Sequence, residues 1–161
     1  KNAINATMWD ELLAAFREIA AGDDRVVVLT GAGGAFCSGA DLRGGTGELQ
    51  FRTVLTDEYN PLITALRDIP KPVVAAVNGV AAGAGVSIAL ACDLVYASED
   101  ARFIQAFVRI GLIPDTGSTR TLVRSLVCAP LRAGDRTAAG RSRWCLSARA
   151  ARPPRRSPRS A

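Results

Sequence analysis

The chain has 161 residues, the length of about one ordinary domain, and its 20 Lys+Arg against 15 Asp+Glu give a formal net charge of +5. That charge is divided: residues 1–123 carry 10 basic and 14 acidic side chains, net −4, whereas residues 124–161 carry ten arginines against Asp135 alone, net +9. A hydrophobic content of 48% excludes wholesale disorder of the first part, and the absence of histidine excludes Ser-His-Asp and Cys-His nucleophiles, HExxH zinc sites and every imidazole base. Acid–base chemistry falls to Asp, Glu, Lys, Tyr or Cys.

Thr7-Met8-Trp9-Asp10 sets a hydroxyl three residues ahead of a carboxylate, a variant of the capping box, and Met8, Leu12, Phe16 and Ile19 recur at helical spacing until Gly22. About four turns of amphipathic helix are expected. Residues 25–30 form a run rich in valine with no polar alternation, as in a strand covered on both faces. Residues 31–47 contain seven glycines and read as a long loop passing close to something that needs bare backbone. Helical spacing returns over 48–68 through Leu49, Val54, Leu55, Leu62, Ile63 and Leu66, with an interruption near Pro61 and a stop at Pro70. Residues 71–79 are a second buried strand, and the small residues of 80–85 lead into 86–92, a helix apolar on all sides and therefore central. Residues 93–97 and 102–105 are further strands, and 111–115 a turn before another helix. Strands alternating with helices place the chain in the α/β class.

Cys37, Cys92, Cys128 and Cys145 include no CxxC pair and are expected as reduced thiols. No apolar run has the roughly 18–20 residues of a membrane helix and no signal segment opens the chain, so the expected compartment is the cytoplasm. Beyond about Val127 neither period survives: residues 128–161 hold nine arginines and four prolines among alanines. Clustered arginine could neutralise phosphates in a nucleic-acid-binding tail. The favoured reading is a non-native segment, such as the product of a reading-frame shift in a GC-rich gene. The expected division is a core over 1–126 and an Arg/Ala/Pro-rich tail over 127–161, disordered or non-native.

Three motifs carry chemical information. Gly31-Ala32-Gly33-Gly34 follows a strand but lacks the third glycine of a dinucleotide-binding fingerprint. Gly83-Ala84-Gly85 opens a helix without the Lys-Ser/Thr of a P-loop, leaving free backbone N–H groups suited to developing negative charge, or simply close helix–strand packing. Asp115-Thr116-Gly117-Ser118 spells the short aspartic-protease signature, but only once and in an α/β setting; taken alone, Asp115 is a turn residue.

Together, Phe36-Cys37-Ser38-Gly39-Ala40-Asp41-Leu42, the run from Lys71-Pro72-Val73 through Asn78-Gly79-Val80-Ala81-Ala82-Gly83-Ala84-Gly85, and Gly111-Leu112-Ile113-Pro114-Asp115-Thr116-Gly117, with Asn2-Ala3-Ile4-Asn5 ahead of them, closely resemble the enoyl-CoA hydratase/isomerase (crotonase) family over residues 1 to about 126. The resemblance implies a spiral of β-β-α units, truncated here at the N-terminus, with the family's C-terminal helices replaced by the arginine-rich tail. It implies an acyl-CoA substrate, no cofactor beyond the coenzyme A of that substrate, and a homotrimer or hexamer; from the apolar runs and the reading of the tail, neither membrane nor nucleic acid is the expected partner.

The same resemblance implies an oxyanion hole made by the N–H groups of Ala40 and Ala84. Ala3, Ser38, Asp41, Leu42, Gly83, Gly85, Phe107 and Pro114 are then expected around the substrate. Family hydratases carry two glutamates that hold and protonate water, at the positions of Ser87 and Phe107 here, and neither of these can act as that acid or base. The segment 103–115 is most similar to the branch that isomerises 2-(1,2-epoxy-1,2-dihydrophenyl)acetyl-CoA in phenylacetate breakdown, with Asp115 as the catalytic residue that moves a proton. An isomerase is thus expected, with an inactive fragment or a basic-tailed nucleic-acid-binding protein as the alternatives.

Overall fold

A computed structural model describes residues 1–44, 54–127 and 144–146. Helix α1 (Ala6–Ala21) is capped by Asn5, whose side-chain oxygen accepts from the Met8 amide at 2.9 Å. The cap is therefore Asn5 and not Thr7, which already lies in the first turn. Trp9 and Phe16 form its buried stripe. At its far end the Lys71 ammonium donates to the carbonyls of Ile19 and Gly22 at 2.5 and 2.6 Å, a cation placed where the helix leaves carbonyls unpaired.

The strands divide between two parallel layers. In the first, β1 (Val27–Thr30), β3 (Val73–Val77) and β5 (Leu94–Ala97) lie side by side, with Val28 opposite Val74 and Val74 opposite Leu94. In the second, β2 (Ala35–Cys37), β4 (Val80–Ala82) and β6 (Arg102–Ile104) do the same. Each pair of strands is followed by helix: a π-helical turn (Val54–Tyr59) continuing into α2 (Asn60–Asp68), then α3 (Ala84–Ala91), then a 3-10 turn (Ala106–Ile110) and α4 (Ser118–Val127). The result is three β-β-α units, each giving one strand to each sheet, as the family resemblance implied.

Short polar ties fix the corners. Asn78, between β3 and β4, donates to Gly31 and Gly33 carbonyls at 2.7 and 2.8 Å and so pins the β3–β4 corner to the β1–β2 corner. Asn2 donates to the carbonyls of Ala32, Ala35 and Phe36 at 2.9–3.1 Å, tying the start of the chain to β2. Pro61 does not interrupt a helix; it stands in the first turn of α2, where no amide donor is needed.

All eight residues of α3 are buried, as its uniformly apolar sequence requires. Around it, Leu62, Leu66, Ile69, Val73 and Val95 complete the core. β1 is not covered on both faces: Val28 is 61% exposed, and Tyr96, on the same face of the sheet two strands along, is 48% exposed, so that face of the sheet is open. Strand β2 lies inside the expected glycine-rich loop, and β4 inside the small-residue stretch read as the lead into a helix. Residues 144–146 form β7, antiparallel to β5; the remainder of the expected tail, with its alternative nucleic-acid role, lies outside the described residues, as do residues 45–53 of the expected loop and helix. Among the described residues no helix is long and apolar enough to cross a membrane. Leu62→Ala, at a site with no exposure, is expected to cost about 2–5 kcal/mol in denaturant unfolding, and Val28→Ala less than about 1 kcal/mol.

Candidate active site

Because β2, β4 and β6 are parallel neighbours, the segments leaving their C-terminal ends emerge together, the usual place for a ligand on a parallel sheet. These segments are 38–41, 83–85 and 105–107. On the first, Ile4 bridges Ala40: its amide donates to Gly39 O at 2.8 Å and its carbonyl accepts from the Asp41 amide at 2.9 Å. In that pairing the amide of Ala40 faces away from Ile4. On the second, Ala84 is the first residue of α3, so its amide has no acceptor in its own helix. Neither amide donates to another described residue.

What brings them close is the missing side chain of Gly39. With φ at +87°, a β-carbon there would stand 2.8 Å from Ala82 O and 3.4 Å from the Ala84 nitrogen. Gly85 permits the matching approach from below, since a β-carbon on it would collide with Cys37 O and lie 2.9 Å from Cys37 Cβ. Phe107, buried, reaches the same place from the third segment, its Cζ lying 3.9 Å from where a β-carbon on Gly83 would be.

Asp115 is half-buried on the turn before α4. Ser87, fully buried one turn along α3 from Ala84, donates to the Asp115 carbonyl over a long 3.4 Å, and the Ser118 amide donates to the same carbonyl at 2.9 Å. Residues three apart share a helix face, so the backbone of Asp115 is held against the face of α3 that begins at Ala84. Its carboxylate accepts from the neighbouring Thr116 hydroxyl at 2.6 Å.

Other expected site residues are placed differently. The Asp41 carboxylate turns to Arg43, accepting from its Nε at 2.9 Å and Nη2 at 2.8 Å, and this pairing holds its carboxyl down at about 2. Leu42 and Pro114 are exposed, while Ser38 and Ala3 are partly buried beside the Ile4 bridge. Tyr59 was not singled out from the sequence, where it reads as one more apolar position of a helical stripe. It is buried and tilted against Trp9 with ring centroids 5.1 Å apart. Its phenol is pushed up to about 12, first by burial and then by the charges of Asp115, Glu58 and Cys37. A cleft of 230 Å³ opens elsewhere, between α1 and β1, with Cys37 and Ile88 in its lining; Ala40, Ala84 and Asp115 take no part in it.

A family model described as enoyl-CoA hydratase/isomerase matches residues 1–132. The chain is 55% identical over 126 residues to a Rhodobacter capsulatus protein named "Probable enoyl-CoA hydratase", covering 78% of this chain and 49% of that protein. It is 43% identical over 129 residues to the 1,2-epoxyphenylacetyl-CoA isomerase of Escherichia coli, covering 76% and 49%. The crystal structure of an enoyl-CoA hydratase from Bacillus anthracis superposes with a TM-score of 0.70 at 35% identity, covering 76% of this chain and 49% of that one. The chain thus spans about half the length of the curated relatives it matches. With the three β-β-α units and the sequence match in agreement over the same stretch, the chain belongs to the enoyl-CoA hydratase/isomerase family.

Proposed function

We propose that this chain carries the enolate-forming centre of an acyl-CoA isomerase. In this reading the thioester carbonyl oxygen of the substrate accepts from the amides of Ala40 and Ala84. As a proton leaves the neighbouring carbon, its electron pair moves through the carbonyl onto that oxygen, where the two donors stabilise the charge. Asp115 takes the proton and returns it at a second position, on carbon or on an epoxide oxygen, so that no water is consumed. The observation that supports the reading is the close approach of Gly39 to Ala82 and Ala84, next to two amides that donate to no described residue. Each such donor is worth about 2.7–4 kcal/mol in comparable sites.

Isomerisation rather than hydration is supported by the side chains beside Asp115. Ser87 donates its hydroxyl to a backbone carbonyl, and Phe107 is a buried hydrocarbon; neither can act as the acid or base that hydration needs. Identity to the E. coli epoxyphenylacetyl-CoA isomerase favours the same branch, and with it a place in phenylacetate breakdown. The name of the R. capsulatus relative favours the alternative, hydration of an enoyl-CoA. Assembly into a trimer or hexamer is supported by the exposed apolar side chains Val108, Ile110 and Ile113 beside the Asp115 segment. The free, buried thiols of Cys37 and Cys92 accord with a reducing compartment such as the cytoplasm.

Asp115→Asn is expected to bind acyl-CoA with little change and to lose turnover of the epoxide substrate; undiminished turnover contradicts the role given to Asp115. Gly39→Ala, whose new methyl would push Ala82 and Ala84 away, is expected to lower kcat by about 10²–10³-fold, read by steady-state kinetics. The unaltered chain is expected to leave crotonyl-CoA unhydrated, and hydration of that substrate at an enzymatic rate would decide for the alternative.

A further inference from the structure

The turn that carries Asp115 breaks a local rule. Thr116 and Gly117 both have positive φ, +53° and +78°, and the Ser118 amide closes the turn on Asp115 O at 2.9 Å. Two consecutive left-handed residues inside an i to i+3 hydrogen bond are the pattern of a type I′ turn, whose first central position favours Asn, Asp or Gly. A β-branched residue is strained there. The strain is not relaxed by exposure or mobility: Thr116 is only 6% exposed. The turn is clamped on both sides, by Ser87 of α3 on the Asp115 carbonyl and by the Arg120 and Thr121 amides of α4 on the Gly117 carbonyl at 3.2 and 3.0 Å.

Glycine or asparagine would suit the backbone better, so the threonine calls for a reason outside the fold. Its hydroxyl supplies one. Thr116 Oγ1 donates to Asp115 Oδ1 at 2.6 Å, a short charge-assisted bond, while Asp115 Oδ2 bonds to no described residue. We propose that Thr116 is a positioning residue: its hydroxyl fixes one carboxylate oxygen of Asp115 and leaves the other as the oxygen that receives the substrate proton. The strained backbone at 116 and the hydrogen bond from its hydroxyl to Asp115 occur at one residue, as at sites where strain is kept for function. This inference rests on the reading of Asp115 as the proton carrier.

The test is exchange of the proton next to the thioester of butyryl-CoA into D2O, followed by NMR with the full chain at saturating ligand, with binding and melting measured separately. Thr116→Ser, which keeps the hydroxyl, is expected to stay within about threefold of the unaltered rate. Thr116→Val, which keeps the bulk and the strain, is expected to fall about 10- to 100-fold, the loss of one hydrogen bond to a charged group, with the butyryl-CoA Kd unchanged. Thr116→Gly is expected to melt at a higher temperature and yet fall as far as Thr116→Val. A valine or glycine variant at the unaltered rate, or a serine variant no better than valine, overturns the role of Thr116 while Asp115→Asn remains inactive. Exchange by Asp115→Asn at the unaltered rate, or none by the unaltered chain, overturns the proton-carrier reading and this inference with it.

Discussion

Two stretches of main chain, one leaving β2 and one entering α3, come as close as backbones can because Gly39 and Gly85 carry no β-carbon. The rest of the site hangs on that approach. It is produced by parallel pairing of β2 with β4, which sends both strand ends in one direction, and it is held by Asn2 and Asn78, whose amides lock the strand corners. α3 then continues from the point of contact as a wholly buried rod, so the position of Ala84 is fixed by the core and not by a surface loop. A pair of donors used against developing charge has to be rigid before the charge appears, and burial of α3 supplies that rigidity.

The second half of the site is assembled on the same rod. Ser87 lies on the Ala84 side of α3 and touches the backbone of Asp115, and Phe107 closes on Gly83. The charged group and the amide donors are thus referenced to a single helix, though they come from segments 75 residues apart in sequence. Phe107 and Tyr59 are both buried, while Asp115 itself stays half-buried. Tyr59 also feels the charge of Asp115.

The long elements were legible because their patterns are long: the stripe of α1, the valine-rich segments of β1 and β3, and the unbroken apolar run of α3. Strands β2 and β4 were not, since three residues beside glycines show no period, and only pairing with a parallel neighbour makes them strands. Thr7 was read as the cap from its capping-box spacing to Asp10; Asn5 holds that place, and the helix starts two residues sooner than the spacing implies. The full cover expected for β1 failed at Val28 because a run of valines does not say whether a second layer packs over the sheet's outer face. At the site, Ala40, Ala84, Phe107 and Asp115 were named from family motifs, and the segments bearing them do converge. Tyr59 and Thr116 were missed: a tyrosine in a helical stripe carries no chemical signal, and a threonine betrays its function only through a dihedral angle.

Whether one ligand oxygen is held by both amides is read most directly from a proton–nitrogen correlation spectrum of chain labelled at alanine nitrogen, titrated with butyryl-CoA. The amide protons of Ala40 and Ala84 are expected to move downfield together, at the same ligand concentration, as each gains an acceptor. Resonances of these two alanines that stay in place while others shift, or that respond at different concentrations, would contradict it.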